Sequence, residues 1–217
     1  VIIMIDFLTN NYIEILFKAA EHLYISAFSL FLGVIVAVPI GILITKSQLG
    51  AKIVMAVASV LQTIPSFALL AMMTIIGVGK KPAIIALFIY SLLPILRNTY
   101  LGIVNVDPNL IDAAKGMGMT EKQILFKIKI PMAMPVIMSG IRLSAVYVLA
   151  WATLASYIGA GGLGDYIFTG LQNYIPAMII WGTIPVTIMA LLADFLLGKI
   201  EEKLSPIKSS GGAVSEA

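Results

Sequence analysis

Long apolar segments dominate the sequence and limit the folds that it can adopt. Two of them, at about residues 23–45 and 53–79, contain no charged side chain, and three more contain one each: 83–104, 132–158 and 176–197. A helix of about 20 apolar residues crosses the hydrocarbon core of a bilayer. Only 12% of the residues are charged, against about 25% in a soluble domain. The sequence therefore predicts an all-α membrane protein with about five transmembrane helices.

The two ends of the chain are more polar than its middle. Residues 1–21 mix charged and apolar side chains, which fits an amphipathic helix at the membrane surface and a mobile terminus equally well. No cleavable signal peptide is predicted, because a basic segment and a small-residue cleavage site are missing. Residues 205–217 are small and polar and are predicted to be a disordered tail. The predicted transmembrane domain covers residues 1–204.

Basic side chains predict the orientation, since lysine and arginine concentrate in cytoplasmic loops. If there are five spans, most of the basic residues outside the membrane lie on one side of it: Lys46, Lys52, Arg97, Lys115, Lys122, Lys127, Lys129, Lys199, Lys203 and Lys208. The other side receives Lys18, Lys80 and Lys81, together with several acidic residues. We therefore expect the N-terminus outside and the C-terminus in the cytoplasm, although Lys80 and Lys81 depart from the rule.

Besides Arg97, near the end of the third span, two charged residues lie deeper within predicted spans. Arg142 is in the fourth span and Asp194 is in the fifth, at comparable depths from the cytoplasmic side. A charge at the centre of a membrane helix costs at least ~2.5 kcal/mol. The two side chains either pair across the bundle or extend independently to the surface, and the sequence slightly favours the second alternative.

The segment from Asp107 to Pro131 is a polar island between the third and fourth spans. An aspartate followed by proline is typical of a helix start, and Gly116 and Gly118 should end that helix. A second helix is predicted from Thr120, with Gln123 completing a capping box, and Pro131 should stop it before the next span. The first helix carries an apolar face of small and flexible side chains at helical spacing: Leu110, Ala113, Ala114 and Met117. The island is either a plain helical connection or a surface that another protein approaches closely.

The polar island resembles the cytoplasmic loop of bacterial ATP-binding-cassette (ABC) importer permeases. The pattern of that loop is Glu-Ala-Ala, three residues, Gly, nine residues and Ile-x-Leu-Pro. This chain has Asp112-Ala113-Ala114, three residues, Gly118, nine residues and Ile128-Lys129-Ile130-Pro131. The spacing agrees throughout, with Asp in place of Glu and Ile in place of Leu.

The resemblance extends over nearly the whole chain. Four segments are similar to the permease subunits of osmoprotectant importers for glycine betaine, carnitine or choline: Gln62–Ser66, Leu92–Thr99, Asp112–Met119 and Ile158–Asp165. The resemblance implies the MetI-like permease core of type I ABC importers, in the bacterial plasma membrane. Some members of this group carry a fused substrate-binding domain at the C-terminus. This chain ends too early for one, so a separate extracytoplasmic binding protein is expected.

The resemblance also implies partners and contact residues. Two permease subunits, identical or sister chains, would surround the path, and two partner ATPases would bind ATP and magnesium. The coupling helix, Asp107–Gly118, would contact an ATPase through Asp112, Ala113, Ala114, Gly116 and Gly118. The binding protein would dock at a glycine-rich loop through Gly159, Gly161, Gly162 and Gly164, although a flexible connector is equally compatible with any single glycine. Nucleic acid is not an expected partner.

The chain itself is not expected to be an enzyme or to hold a cofactor. It contains no Gly-x-x-x-x-Gly-Lys-Ser/Thr nucleotide-binding sequence. It has no cysteine and one histidine, His22, so neither disulfides nor thiolate or histidine-based metal sites are expected.

Three aromatic residues are candidates for the substrate path. Tyr147 and Trp151 lie four residues apart on one face of the fourth span, and Tyr90 is in the third. Aromatic faces attract quaternary ammonium ions, although ordinary packing within the bundle explains the same residues better. The alternative functions are an ABC permease for another small zwitterion, such as methionine, and an ion-coupled carrier or channel. The last alternative predicts inverted repeats and mid-span acidic residues, and it does not explain the polar island.

Overall fold

The computed structural model describes residues 2–205, and every regular element in that range is helical. The helices are α1 (Ile2–Ile44), α2 (Gln48–Thr63), α3 (Ser66–Met73), α4 (Lys80–Val104), α5 (Pro108–Gly116), α6 (Glu121–Ile124), α7 (Ile130–Ala152), α8 (Gly164–Gln172) and α9 (Pro176–Leu204). A π-helical turn (Leu125–Lys129) joins α6 to α7, and a 3-10 helix (Leu154–Ile158) follows α7. Except for Ser205, the predicted disordered tail lies outside the described residues.

The membrane prediction agrees with the lengths of these helices. Within residues 2–205, four helices are long and apolar enough to span a membrane: α1, α4, the continuous α6–α7 and α9. The pair α2 and α3 makes a fifth span if it is counted as one, but the two helices are bent by 90°. The all-α fold is therefore confirmed, whereas the prediction of one uninterrupted span over residues 53–79 is wrong.

The bend between α2 and α3 occurs at a proline. Pro65 has no N–H and disfavours helical backbone at the preceding residue, and Ile64 is extended, with φ −65° and ψ 125°. The hydroxyl group of Tyr90 on α4 donates to the Ile64 carbonyl oxygen at 2.6 Å. This hydrogen bond satisfies a carbonyl group that the broken helix leaves free, as an apolar environment requires.

Helix α1 is about twice as long as predicted. Its 43 residues correspond to roughly 65 Å, so the predicted span at residues 23–45 is only its second half. Residues 2–21 are neither a separate surface helix nor a mobile end. They continue the same helix and pack against α8 and α9, where the Trp181 indole N–H donates to the Met4 carbonyl oxygen at 2.9 Å.

The remaining differences lie at helix ends. Helix α4 begins at Lys80, because Pro82 is tolerated in a first turn. The second island helix does not stop at Pro131. It runs into α7 through the π-helical turn, whose wider geometry accommodates a residue that lacks an N–H. The predicted fourth span therefore begins earlier, at Glu121, and α9 extends past residue 197 to Leu204.

Small residues bring the spanning helices close together. Helices α1 and α4 run parallel, with Gly33 facing Ser91 and Gly41 facing Thr99, and a Cβ atom at either glycine would collide with the facing side chain. Helix α7 runs antiparallel to α4 and donates from the Ser144 hydroxyl group to the Ser91 carbonyl oxygen at 2.9 Å. Close contact between small residues is a common way to join helices in membranes. The bundle thus has an α5 end, where α4 finishes, and a glycine-loop end, where α4 begins.

Candidate functional site

Helix α5 projects from the bundle as a short, well-capped element. The Asp107 carboxylate accepts a hydrogen bond from the Asn109 N–H at 2.9 Å, and Pro108 occupies the first helical position. Asp112 and Ala113 are exposed, whereas Ala114 is fully buried against the rest of the chain. Of the three residues that match Glu-Ala-Ala, two therefore face outward and the third anchors the helix.

The two glycines after this triplet differ in their conformation. Gly118 has a φ of +79°, the left-handed region that L side chains rarely adopt, and its N–H donates to the Lys115 carbonyl oxygen at 2.9 Å. Gly116 has no such backbone requirement, and a Cβ atom at either position would meet nothing within 4 Å. Both glycines are exposed. Together with Asp112 and Ala113 they form an open surface, flanked by Met117, which is 74% exposed.

A short connection with a capping box joins this surface to a spanning helix. Thr120 and Gln123 form the predicted capping box: the Thr120 N–H donates to Gln123 Oε1 at 2.8 Å, and the Gln123 N–H donates to Thr120 Oγ1 at 3.3 Å. From Glu121 the helix continues without interruption to Ala152. One continuous helix therefore leads from the residues that follow α5 towards the glycine loop.

The glycine loop, residues 159–164, is packed into the protein. Gly162 and Gly164 are buried, Gly161 is half-buried and only Gly159 is exposed. A Cβ atom at Gly161 would collide with the Glu21 carboxylate, and one at Gly164 would collide with the Thr153 carbonyl oxygen. These glycines allow the loop to approach α1 and the end of α7, so the loop is not a flexible connector.

A cluster of four charged residues fixes the loop to the beginning of α4 and the middle of α1. The Glu21 carboxylate is 12% exposed, accepts from the Gly162 N–H at 2.8 Å and pairs with the Lys80 ammonium group at 2.6 Å. Lys18 lies 3.8 Å from Glu21 and pairs with Asp165 at the start of α8. We call Lys18, Glu21, Lys80 and Asp165 the loop-side ion-pair cluster.

Helix α8 continues the attachment of the loop to α1. Ile15, Leu163 and Tyr166 form the buried centre of this contact. Burial, together with a hydrogen bond to Glu14, raises the pKa of Tyr166 to about 12. The phenol group is therefore protonated at neutral pH and can donate to the carboxylate. The glycine loop is therefore held by the loop-side ion-pair cluster and by the packing of α8 against α1.

The three aromatic candidates for the substrate path form one cluster. The ring centroids of Tyr90 and Trp151 are 4.5 Å apart, and those of Tyr147 and Trp151 are 5.3 Å apart. Tyr90 is buried and its hydroxyl group is bound to Ile64, whereas Tyr147 is 39% exposed. Only Tyr147 and the half-buried Trp151 present ring surface to a ligand.

Arg142 and Asp194 form an ion pair between α7 and α9. The guanidinium group donates two hydrogen bonds to the Asp194 carboxylate, at 2.5 and 2.7 Å, and a weaker one to Glu201 at 3.4 Å. Gly198 leaves the space that Arg142 occupies over α9. The slight preference of the sequence for two independent side chains is therefore wrong.

Sequence reasoning missed the loop-side ion-pair cluster. Its members lie on α1, α4 and α8, and their separation in the chain gives no pattern. One signal was present: Lys80 departs from the charge rule for membrane loops. In the structure, the Lys80 ammonium group pairs with the Glu21 carboxylate. Lys81 has no ion pair among the described residues.

Residues 29–206 match the profile of the family described as "Binding-protein-dependent transport system inner membrane component". A carnitine transport permease protein of Listeria monocytogenes is 56% identical over 204 residues, which are 94% of each chain. A glycine betaine/carnitine/choline transport system permease protein of Bacillus subtilis is 52% identical with the same coverage. Among solved structures, an inward-facing methionine ABC transporter matches with a TM-score of 0.77 at 22% identity, covering 88% of this chain and 95% of that one.

The fold and the sequence lead to the same classification. The structural likeness, at 22% identity, establishes the MetI-like permease fold. The family profile covers well over half of the chain, and the curated relatives match almost from end to end. The chain belongs to the family of binding-protein-dependent transport system inner membrane components.

Proposed function

We propose that the chain is the membrane-spanning permease subunit of an ATP-driven importer for quaternary-ammonium osmoprotectants, the class that includes glycine betaine, carnitine and choline. The observation that carries this proposal is the 50–56% identity, over 94% of the chain, to permeases named for these compounds. The methionine transporter supports the fold alone, because it is only 22% identical.

The proposed role of α5 is to couple the permease to a partner ATPase, which binds ATP and magnesium. The exposed surface of Asp112, Ala113, Gly116 and Gly118 supports this role, since small side chains allow close approach by another protein. Ala114 contributes indirectly, because its side chain is buried and cannot reach another protein. ATP hydrolysis takes place on the partner, so this chain is not an enzyme.

The proposed orientation puts the α5 end in the cytoplasm and the glycine-loop end outside. The distribution of lysine and arginine supports it, and the neutralisation of Lys80 by Glu21 weakens the main objection. A separate binding protein would then dock at the glycine-loop end. Because most of the loop is buried, the docking surface consists of Gly159 and its exposed neighbours, such as Tyr157.

A second permease subunit would complete the path. The aromatic cluster supports a contact with the substrate, because Tyr147 and Trp151 present ring surface that attracts a quaternary ammonium group. Tyr90 contributes by packing against Trp151 and by donating a hydrogen bond to the Ile64 carbonyl oxygen at the bend.

An uptake experiment tests the proposed function. The chain is expressed with its ATPase and binding-protein partners in a bacterium that lacks other osmoprotectant uptake systems. Uptake of radiolabelled glycine betaine, carnitine and choline is then measured. We expect uptake of at least one of them that requires ATP hydrolysis and is not reduced by excess methionine.

The controls separate the alternative functions. An ATPase variant without hydrolytic activity should abolish uptake. Strong competition by methionine would favour a permease for another zwitterion. Transport by the purified chain alone, in vesicles with an ion gradient and no ATP, would contradict the proposal.

A further inference from the structure

A basic pocket at the α5 end of the bundle is not used by the proposed function. It has a volume of 240 Å³ and is lined by Thr45, Lys46, Glu121, Lys122, Leu125 and Lys129. Two separate parts of the chain form it, the residues that follow α1 and the helix that begins at Glu121. Lys122, Leu125 and Lys129 share one side of that helix, at spacings of three and four residues.

The three ammonium groups in this pocket have no acidic partner within the described part of the chain. None of Lys46, Lys122 and Lys129 forms an ion pair, whereas Lys18 and Lys80 at the opposite end do. With Glu121 included, the lining carries a net charge of +2 (three lysines minus one glutamate). The pocket therefore concentrates positive charge that is not neutralised internally, which favours an anionic ligand.

The position of the pocket favours a ligand from the membrane. Thr45 directly follows the last residue of α1, so the pocket lies where an apolar spanning helix ends. Leu125 contributes an apolar wall, and the next residue, Phe126, is 66% exposed. Basic pockets between spanning helices at the membrane surface are suited to phospholipid head groups.

We propose that this pocket binds the head group of an anionic phospholipid. Lys46, Lys122 and Lys129 surround the phosphodiester, and the acyl chains pass beside Leu125 and Phe126 into the bilayer. Glu121 can accept hydrogen bonds from head-group hydroxyl groups, as in phosphatidylglycerol. The π-helical turn at Leu125–Lys129 is consistent with a ligand site, because such turns are rare and often occur at functional positions.

Native mass spectrometry of the purified chain in detergent tests this proposal. Phosphatidylglycerol and phosphatidylcholine with identical acyl chains are titrated in parallel. We expect preferential binding of phosphatidylglycerol, and replacement of Lys122 and Lys129 by glutamine should weaken it by about fivefold for each lysine. Lys127→Gln is the matched control, because Lys127 lies in the same π-helical turn but does not line the pocket.

Four results would overturn the proposal. The first is equal binding of the two lipids to the unmodified chain. The second is a loss in Lys127→Gln as large as that in Lys129→Gln. The third is equally tight binding of glycerol phosphate, which would make the ligand a soluble phosphate ester. The fourth is unchanged lipid binding in the Lys122 and Lys129 variants. If the same variants also lose the co-purified ATPase, the pocket is a protein contact.

Discussion

The α5 segment and the glycine loop both contain several glycines, but the surroundings of those glycines differ. The glycines of the α5 segment have free space around them, whereas most of those in the loop are packed against other parts of the chain. Gly116 and Gly118 are exposed, and a Cβ atom at either would meet nothing within 4 Å. Gly161, Gly162 and Gly164 instead lie against α1 and the end of α7, where a Cβ atom would meet other parts of the same chain. A glycine-rich segment therefore does not by itself indicate a surface for a partner. The space around each glycine distinguishes an exposed position from one that is needed for close packing.

The two regions also differ in how they are attached. The glycine loop is held by ion pairs, by the Gly162 hydrogen bond to Glu21 and by the buried contact between α8 and α1. Helix α5 contacts mainly the adjacent α6, Ala114 is its buried residue, and the chain leads from it directly into α6 and α7. The glycine-loop end is therefore joined to α1, α4 and α8 by side-chain contacts, whereas α5 contacts mainly the helix that follows it.

Substitution of Gly164 by alanine should have the largest effect on stability. The new Cβ atom would collide with the Thr153 backbone carbonyl oxygen, which cannot move without disturbing the end of α7. We expect a loss of about 3 kcal/mol, or a Tm lower by about 10 °C in detergent. Gly116→Ala is the matched control and should change the Tm by less than about 2 °C. Equal Tm values for the two variants would contradict the claim that Gly164 is tightly packed and Gly116 is not.

Substitution of Gly116 by tryptophan should block the proposed ATPase contact without disturbing the fold. Gly116 has free space and no left-handed backbone, so a bulky side chain affects the surface alone. We expect co-purification of the ATPase to fall by about tenfold, corresponding to about 1.4 kcal/mol, at an unchanged Tm. Gly118→Trp gives a less clear test, because its φ of +79° adds backbone strain.

The control for this prediction is Lys203→Trp. It introduces the same side chain at an exposed position near the end of α9, on the same side of the proposed topology. Co-purification should be unchanged. Normal uptake and normal ATPase binding with Gly116→Trp would show that α5 is not the contact.

Replacement of Glu21 by glutamine should have a moderate effect at the glycine-loop end. The variant removes the ion pairs with Lys80 and Lys18 but keeps an acceptor for the Gly162 N–H. We expect a loss of about 1–2 kcal/mol, because Lys80 is nearly half-exposed and water screens the pair. Thermal unfolding at low and high salt measures this loss of stability. The Tm of the unmodified chain should depend more strongly on salt than that of Glu21→Gln, because salt screens the ion pairs that only the unmodified chain has. Lys81→Gln, which removes no ion pair, should leave the Tm unchanged.

Exchange of the two charges, in the double variant Arg142→Asp and Asp194→Arg, should have the smallest effect on stability, because it restores a pair of opposite charges. These residues join α7, which connects the two regions, to α9, and both side chains are more than one-third exposed. Arg142→Asp and Asp194→Arg alone should each reduce uptake severalfold, and the double variant should restore most of it. The absence of such rescue would mean that the pair does not hold the two helices together during transport.

Much of the fold follows from local chemistry and could be predicted. Capping residues such as Asp107 and Thr120 act within three positions of themselves, so they place the starts of α5 and α6 correctly. The spans follow from hydrophobic length. The motif in α5 was recognised from its spacing, although the burial of Ala114 was not, because it depends on contacts with the rest of the bundle.

The structure differs from the sequence-based prediction where contacts between distant parts of the chain override the local preference for helix or for a helix end. By sequence, the N-terminal segment fits an amphipathic surface helix and a mobile terminus equally well. In the structure it continues α1, because Lys18 and Glu21 pair with residues of α8 and α4, and the Trp181 indole of α9 donates to the Met4 carbonyl oxygen. The bend at Pro65 is stabilised by Tyr90, which lies on another helix. The π-helical turn likewise carries a helix through Pro131, where local rules predict an end.

Site-specific cross-linking tests the central claim, that the exposed side of α5 contacts the ATPase. The chain has no cysteine, so a single introduced thiol can carry a maleimide-benzophenone label. Asp112→Cys and Ala114→Cys lie two residues apart on the same helix, one exposed and one buried. We predict that light cross-links the Asp112→Cys variant to the ATPase and that the Ala114→Cys variant gives little or no product. No cross-link from position 112, or equal yields from both positions, would contradict the account.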